Sequence, residues 1–157
     1  SSTELYALLS SLAEVPIKQN IAVTGSVNQF GEIQPIGGVN EKIEGFFDIC
    51  MRKDAEASYG VIIPETNVKH LMLKTEVLEA VEKGNFAIYA VKTIDEGIAI
   101  LTGVDAGEAD AKGDFPKASI NGKVVARLKV LSETIRQFTH PRPAAKRKTA
   151  TKKKSKE

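Results

Sequence analysis

The sequence predicts an α/β fold of the mixed α+β kind, carrying a C-terminal helix and a disordered basic tail. Two observations lead there. Short segments rich in β-branched residues, near 20–26, 60–63 and 86–91, alternate with stretches whose apolar residues recur at helical spacing. A chain of 157 residues with 42% hydrophobic content is also long enough for one domain with a sizeable core, and too short for two ordinary ones.

From Ser1 to about Ala13, Leu5, Leu8, Leu9 and Leu12 fall at helical spacing. Asn20 to Ser26 alternates roughly as a strand does, and a turn over Asn28–Gly31 should reverse it into Glu32–Ile36. Gly37-Gly38 breaks the pattern. Asn40 is then placed to cap a helix whose stripe is Ile43, Phe46, Phe47, Cys50 and Met51, the strongest helical signal in the chain. Gly60–Ile63 reads as a buried strand stopped by Pro64. A short helix through Val77, Leu78 and Val81 precedes the strand Phe86–Val91. Thr93 and Glu96 have capping-box spacing ahead of a helix carrying Ile94, Ile98 and Leu101.

Composition shifts after Gly103, which divides the chain into a body (1–103), a polar linker (104–118), a helical extension (119–139) and a low-complexity basic tail (140–157). In the extension, Val124, Leu128, Leu131, Ile135 and Phe138 form a narrow stripe suited to packing on another helix or subunit. Between Arg142 and Glu157 lie eight basic residues and one acidic residue, so the overall charge of +2 conceals an acidic body. The tail is either a solvated extension or a weak electrostatic binder of nucleic acid, and it has no aromatic residue on which a base could stack.

Several chemistries are excluded or disfavoured. One cysteine, Cys50, permits no internal disulfide; its apolar surroundings read as core, and a reducing, cytoplasmic location is expected. His70 and His140 have no cysteine pair beside them, so no metal site is expected, and neither sits where a His-based triad would. No phosphate-binding P-loop pattern occurs. No apolar run reaches the roughly 20 residues that span a bilayer, so no membrane partner is expected. Lys42 is the titratable group of interest, one residue before the apolar stripe at a helix start. There desolvation and the helix dipole would favour a neutral amine; a solvated lysine on a helix flank is the alternative.

Thr24-Gly25, a hairpin, and then Pro35-Ile36-Gly37-Gly38-Val39-Asn40-Glu41-Lys42, with Ile62-Ile63-Pro64-Glu65 further on, resemble the proteolytic domain of Lon proteases. The likeness runs from Ser1 to about Leu101. The segment Thr24–Gln29 followed by Gly37–Phe47 is most similar to the Lon-B-like branch of these ATP-dependent Ser-Lys peptidases. The resemblance implies that Lys42 is the general base of a Ser-Lys dyad, that the Thr24 hydroxyl positions it, and that Gly37 and Gly38 form the turn delivering its helix. It further implies unfolded protein substrates, a hexameric homo-oligomer, and ATP and Mg bound in an ATPase module outside this chain, which itself carries no cofactor.

Aligning the first helix with the family's serine-bearing element puts the nucleophile two residues before Ser1, leaving Ser1 and Ser2 as weak substitutes. The expectation is thus a C-terminal part of a proteolytic domain, inactive as a peptidase alone. The rival expectations are a non-catalytic ring-assembly module and a nucleic-acid binder acting through the tail.

Overall fold

The computed structural model describes residues 1–139; the readings made for His140 and the basic tail lie outside the described residues. Three parallel strands, β1 (Ile21–Val23), β4 (Tyr59–Pro64) and β5 (Phe86–Val91), form a sheet in the order β1-β4-β5. Val23 pairs with Ile62, and Ile62 in turn with Tyr89, so the carboxyl ends of the strands lie side by side. Between β1 and β4 come a small antiparallel hairpin, β2 (Ser26–Val27) and β3 (Ile33–Gln34), and the helix α2 (Val39–Lys53). Helix α3 (Thr75–Glu82) links β4 to β5, and α1 (Ser2–Ala13), α4 (Ile94–Thr102) and α5 (Ile120–Thr139) complete the fold.

Alternation along the strands makes three layers. Val61 and Ile63 of β4 point into one core with Val39, Ile43 and Phe47 of α2, Val77 of α3 and Phe86. Ile62 points the other way, into a core built from Tyr6 of α1, Ile94, Ile98 and Leu101 of α4, and Ile120 and Val124 of α5. A strand buried on both faces carries a continuous apolar run, which is why residues 60–63 show no polar alternation. Phe47 meets Phe86 edge to face at a centroid distance of 5.3 Å, fixing α2 on the sheet. Cys50 is buried in the same helix, and burial pushes its thiol above the ordinary value, as suits a packing residue.

Two details differ from the sequence expectation, and a third, on α3, adds to it. The segment 20–26 is two strands, not one: Thr24 N–H still bonds Ile62 O at 3.0 Å, but at Gly25 the chain leaves the sheet for the hairpin. The hairpin is shorter than expected, with the turn held by Asn28 Oδ1 accepting from the N–H groups of Phe30 and Glu32. Leu78 and Val81 of α3 are exposed, and only Val77 of that trio is buried. The capping of α4 follows its sequence signature in modified form. Thr93 Oγ1 accepts from Glu96 N–H at 3.3 Å, and the Glu96 carboxylate reaches back to Lys92 N–H rather than to Thr93.

Residues 104–107 run along the domain. Asp105 O accepts from Ile120 N–H at 3.0 Å, Ala106 O accepts from Asn121 N–H at 2.9 Å, and Ala106 is buried.

Tyr6 is the largest fully buried side chain, yet its hydroxyl has no hydrogen-bond partner among the described residues. Burial, and then the carboxylates of Glu96 and Asp95, push its phenol far above the ordinary value. A side chain at Gly97 would collide with that hydroxyl, so glycine there lets α4 pass over the ring. Because the hydroxyl gains nothing, Tyr6→Phe is expected to leave the stability in urea unchanged to within about 1 kcal/mol, or to raise it. A loss above about 2 kcal/mol would mean that the hydroxyl is bonded in solution.

Candidate active site

The site lies at the carboxyl ends of β1 and β4, where α/β sheets present their functional loops. Thr24 and Gly25 follow β1 directly. Gly25 O accepts from both Ser2 N–H (3.3 Å) and Ser2 Oγ (3.0 Å), so the start of α1 is fastened to the end of β1. A Cβ at Gly25 would stand 3.2 Å from Ser2 Oγ, tighter than ordinary contact, and glycine allows this approach.

This places the two candidate serines in different settings. Ser2 is buried, and its hydroxyl donates to Gly25 O. Ser1 is the exposed N-cap of α1, with its amino group 3.1 Å from Glu4 Oε2. Neither hydroxyl is joined to Lys42 by a hydrogen bond among the described residues.

Helix α2 starts two residues earlier than the sequence suggested. Its N-cap is Gly38, at φ +66°, and Lys42 N–H bonds Gly38 O at 3.1 Å to close the first turn. The left-handed backbone explains one of the two glycines: an L side chain at Gly38 is strained by about 1–2 kcal/mol. Gly37 has no such φ, and a Cβ there would meet nothing within 4 Å. Gly38→Ala is therefore expected to lower the urea midpoint, and Gly37→Ala to leave it nearly unchanged. Equal losses at both positions would contradict the cap assignment.

Asn40 does not cap. It sits inside the first turn, where its Nδ2 donates to His70 O (3.0 Å) and its Oδ1 accepts from Met72 N–H (2.9 Å). Asn67, which sequence reasoning missed, is almost fully buried and brackets Ile36: its Oδ1 accepts from Ile36 N–H at 3.0 Å and its Nδ2 donates to Ile36 O at 2.9 Å. Both asparagines tie the Ile36–Asn40 turn to the 3₁₀ segment Glu65–His70 and to Met72, all of which follow β4. Glu44 adds a third tie, accepting from Lys74 N–H at 3.0 Å. The turn ahead of Lys42 is thus held by polar contacts from the far end of the central strand.

Lys42 itself is exposed, because Val39, Ile43, Phe47 and Cys50 take the buried face of α2. Among the described residues no hydrogen bond or ion pair engages its Nζ. Of the two positions the sequence leaves open for Lys42, the core margin and a solvated helix flank, it takes the flank. Thr24 is half-buried and fixed by its backbone, with no side-chain hydrogen bond among the described residues. His70 is exposed and contributes its carbonyl, and no group of three or more His, Cys, Asp or Glu among the described residues could hold a metal ion.

Comparison with known proteins follows the same residues. Residues 2–102 match the Lon protease (S16) C-terminal proteolytic domain. A protein described as a Lon protease homolog in Escherichia coli (strain K12) is 54% identical over 101 residues, covering 64% of this chain and 17% of the relative. A homolog so described in Haemophilus influenzae is 48% identical over 98 residues, covering 62% and 16%. The archaeal Lon protease of Thermococcus kodakarensis is 38% identical over 94 residues, covering 60% and 13%. The chain thus spans less than a fifth of the length of these relatives.

Proposed function

We infer the function from one premise: the chain belongs to the family of Lon protease (S16) C-terminal proteolytic domains, whose match takes in the end of β1, the turn at Gly37-Gly38 and Lys42. On that premise the protein is part of an ATP-dependent serine endopeptidase acting on unfolded polypeptides, with Lys42 as the general base. The observation that supports the reading is how firmly each of these elements is anchored. The end of β1 bears Thr24, the start of α1 is fastened to it through Gly25 and Ser2, and a buried asparagine braces the turn leading to Lys42.

The chemistry then runs as follows. A serine supplied by residues just before Ser1 enters beside Gly25, because α1 begins there. Its Oγ attacks the scissile carbonyl while Lys42 Nζ takes the hydroxyl proton. The tetrahedral intermediate collapses to an ester as the leaving amine departs with that proton. Lys42 Nζ, its proton given up to the leaving amine, then takes a proton from water, which hydrolyses the ester. No ion pair among the described residues holds Lys42 Nζ, and the desolvation that a neutral amine needs would come from the upstream residues and the bound substrate. Thr24 would position the amine once the serine is present. ATP and Mg belong to a module outside residues 1–157, and the ring of six is proposed on family grounds alone.

The test is cleavage of an unstructured protein by a chain that includes the residues upstream of Ser1, beside residues 1–157 alone. Activity in the first and none in the second is expected. A folded, extended chain without activity would favour an assembly role, and activity of residues 1–157 lost in Ser1→Ala would assign Ser1 as the nucleophile.

A further inference from the structure

We propose that the distal half of α5 docks on the surface of an anionic lipid bilayer. The apolar stripe of α5 is one line of side chains with two fates. Ile120 and Val124 are buried against the domain, whereas Leu128 (49% exposed), Leu131, Ile135 (63%) and Phe138 (84%) continue the line into solvent. The cause is length. At about 1.5 Å per residue, α5 is roughly 30 Å long and α1, on which it packs, only about 18 Å. Glu14, just past the end of α1, meets Arg127 at 4.0 Å, and α5 runs on for a further twelve residues to Thr139.

Charge identifies the occupant. From Ile120 to Glu157 there are twelve basic and two acidic residues, a net +10, while the preceding 119 residues carry ten basic and eighteen acidic ones, a net −8. Lys123 and Lys129 of α5 have no ion-pair partner among the described residues, although Arg136 is paired with Glu133 at 2.8 Å. An apolar helix face beside a polybasic segment supplies the two signals, insertion and headgroup attraction, that together hold a protein on a bilayer when either alone is marginal.

The alternatives each leave one half unexplained. Duplex nucleic acid would take the charge and leave Leu131, Ile135 and Phe138 in water. A second copy packed stripe to stripe would cover the apolar line but bring two +10 segments together, and the exposed stripe is shorter than the three or four heptads that sustain a coiled coil. The helix lies on the bilayer and does not cross it: no helix among the described residues is long and apolar enough to span. The acidic body would be repelled by the same surface, turning α5 toward the lipid.

The full chain should co-sediment with phosphatidylcholine vesicles containing about one third phosphatidylglycerol, at about 0.1 M salt, at least roughly tenfold better than with pure phosphatidylcholine. Ile135→Ser together with Phe138→Ser should weaken that binding by about tenfold or more. Both positions are exposed, so the double variant should keep its far-UV circular dichroism and its thermal midpoint. Undiminished vesicle binding in the double variant would overturn the proposal, as would equal binding to neutral vesicles or none to either. Binding to duplex DNA without vesicle binding would assign the segment to nucleic acid. A dimer that the double variant dissolves, without vesicle binding, would assign the stripe to a second copy; either result overturns the bilayer.

Discussion

Lys42→Ala, made in a chain that carries the residues upstream of Ser1, is expected to lower the kcat for peptide hydrolysis by about a thousandfold or more. The loss should fall on kcat and leave KM nearly unchanged, because a base that moves a proton only as the bond breaks contributes little to ground-state binding. Folding should be spared. The side chain is exposed and has no partner among the described residues, so stability should change by no more than about 0.5 kcal/mol. Lys42→Arg should fail as completely, since a guanidinium keeps its proton at any pH a protein survives. Steady-state kinetics on an unstructured protein, beside a urea titration of each variant, separates lost chemistry from lost fold.

The second large effect is expected at Asn67. Asn67→Ala removes both hydrogen bonds to Ile36, at 2.9 and 3.0 Å, and leaves that peptide's polar groups without these partners in a part-buried setting. The cost should be about 2–3 kcal/mol. Activity should fall further than stability accounts for, by about tenfold or more in kcat, since the loosened turn carries the first residues of α2 and with them Lys42. Asn40→Ala should do less, about 1 kcal/mol, because its bonds to His70 O and Met72 N–H are near the surface and water can replace them. Full activity and stability in Asn67→Ala would show that the turn is held by other means.

Much of the fold could be read from the sequence because burial imprints a period. Ile43, Phe47 and Cys50 of α2 and Ile94, Ile98 and Leu101 of α4 stand at helical spacing, β4 is a continuous apolar run stopped by Pro64, and all of these residues are buried. Polar contacts leave no such trace. Asn67 lies in a polar stretch that looks exposed, and only the fold brings it against Ile36, thirty-one residues away in sequence. Asn40 has the residue type of a cap and acts as a strut, because Gly38 reaches the left-handed conformation and starts the helix first. The stripe on α5 was visible as a stripe, but where α1 stops covering it is a matter of relative helix length.

The candidate site divides along the same line. Lys42, Thr24 and the glycine pair were found through an ordered motif. Physical reasoning on Lys42 alone leaves two positions open, the core margin and a solvated helix flank, and the structure shows the second. The structure also separates the two glycines, requiring only Gly38 for its backbone, and it buries Ser2 with its hydroxyl donated to Gly25 O.

The most direct test of the serine–lysine account is to treat the upstream-extended chain with a serine-reactive phosphonate and map the adduct by mass spectrometry, with and without Lys42→Ala. The account predicts one modified serine within the few residues before Ser1, and its disappearance when Lys42 is replaced. An adduct that forms equally well without Lys42, or one on a serine far from the start of α1, would contradict it.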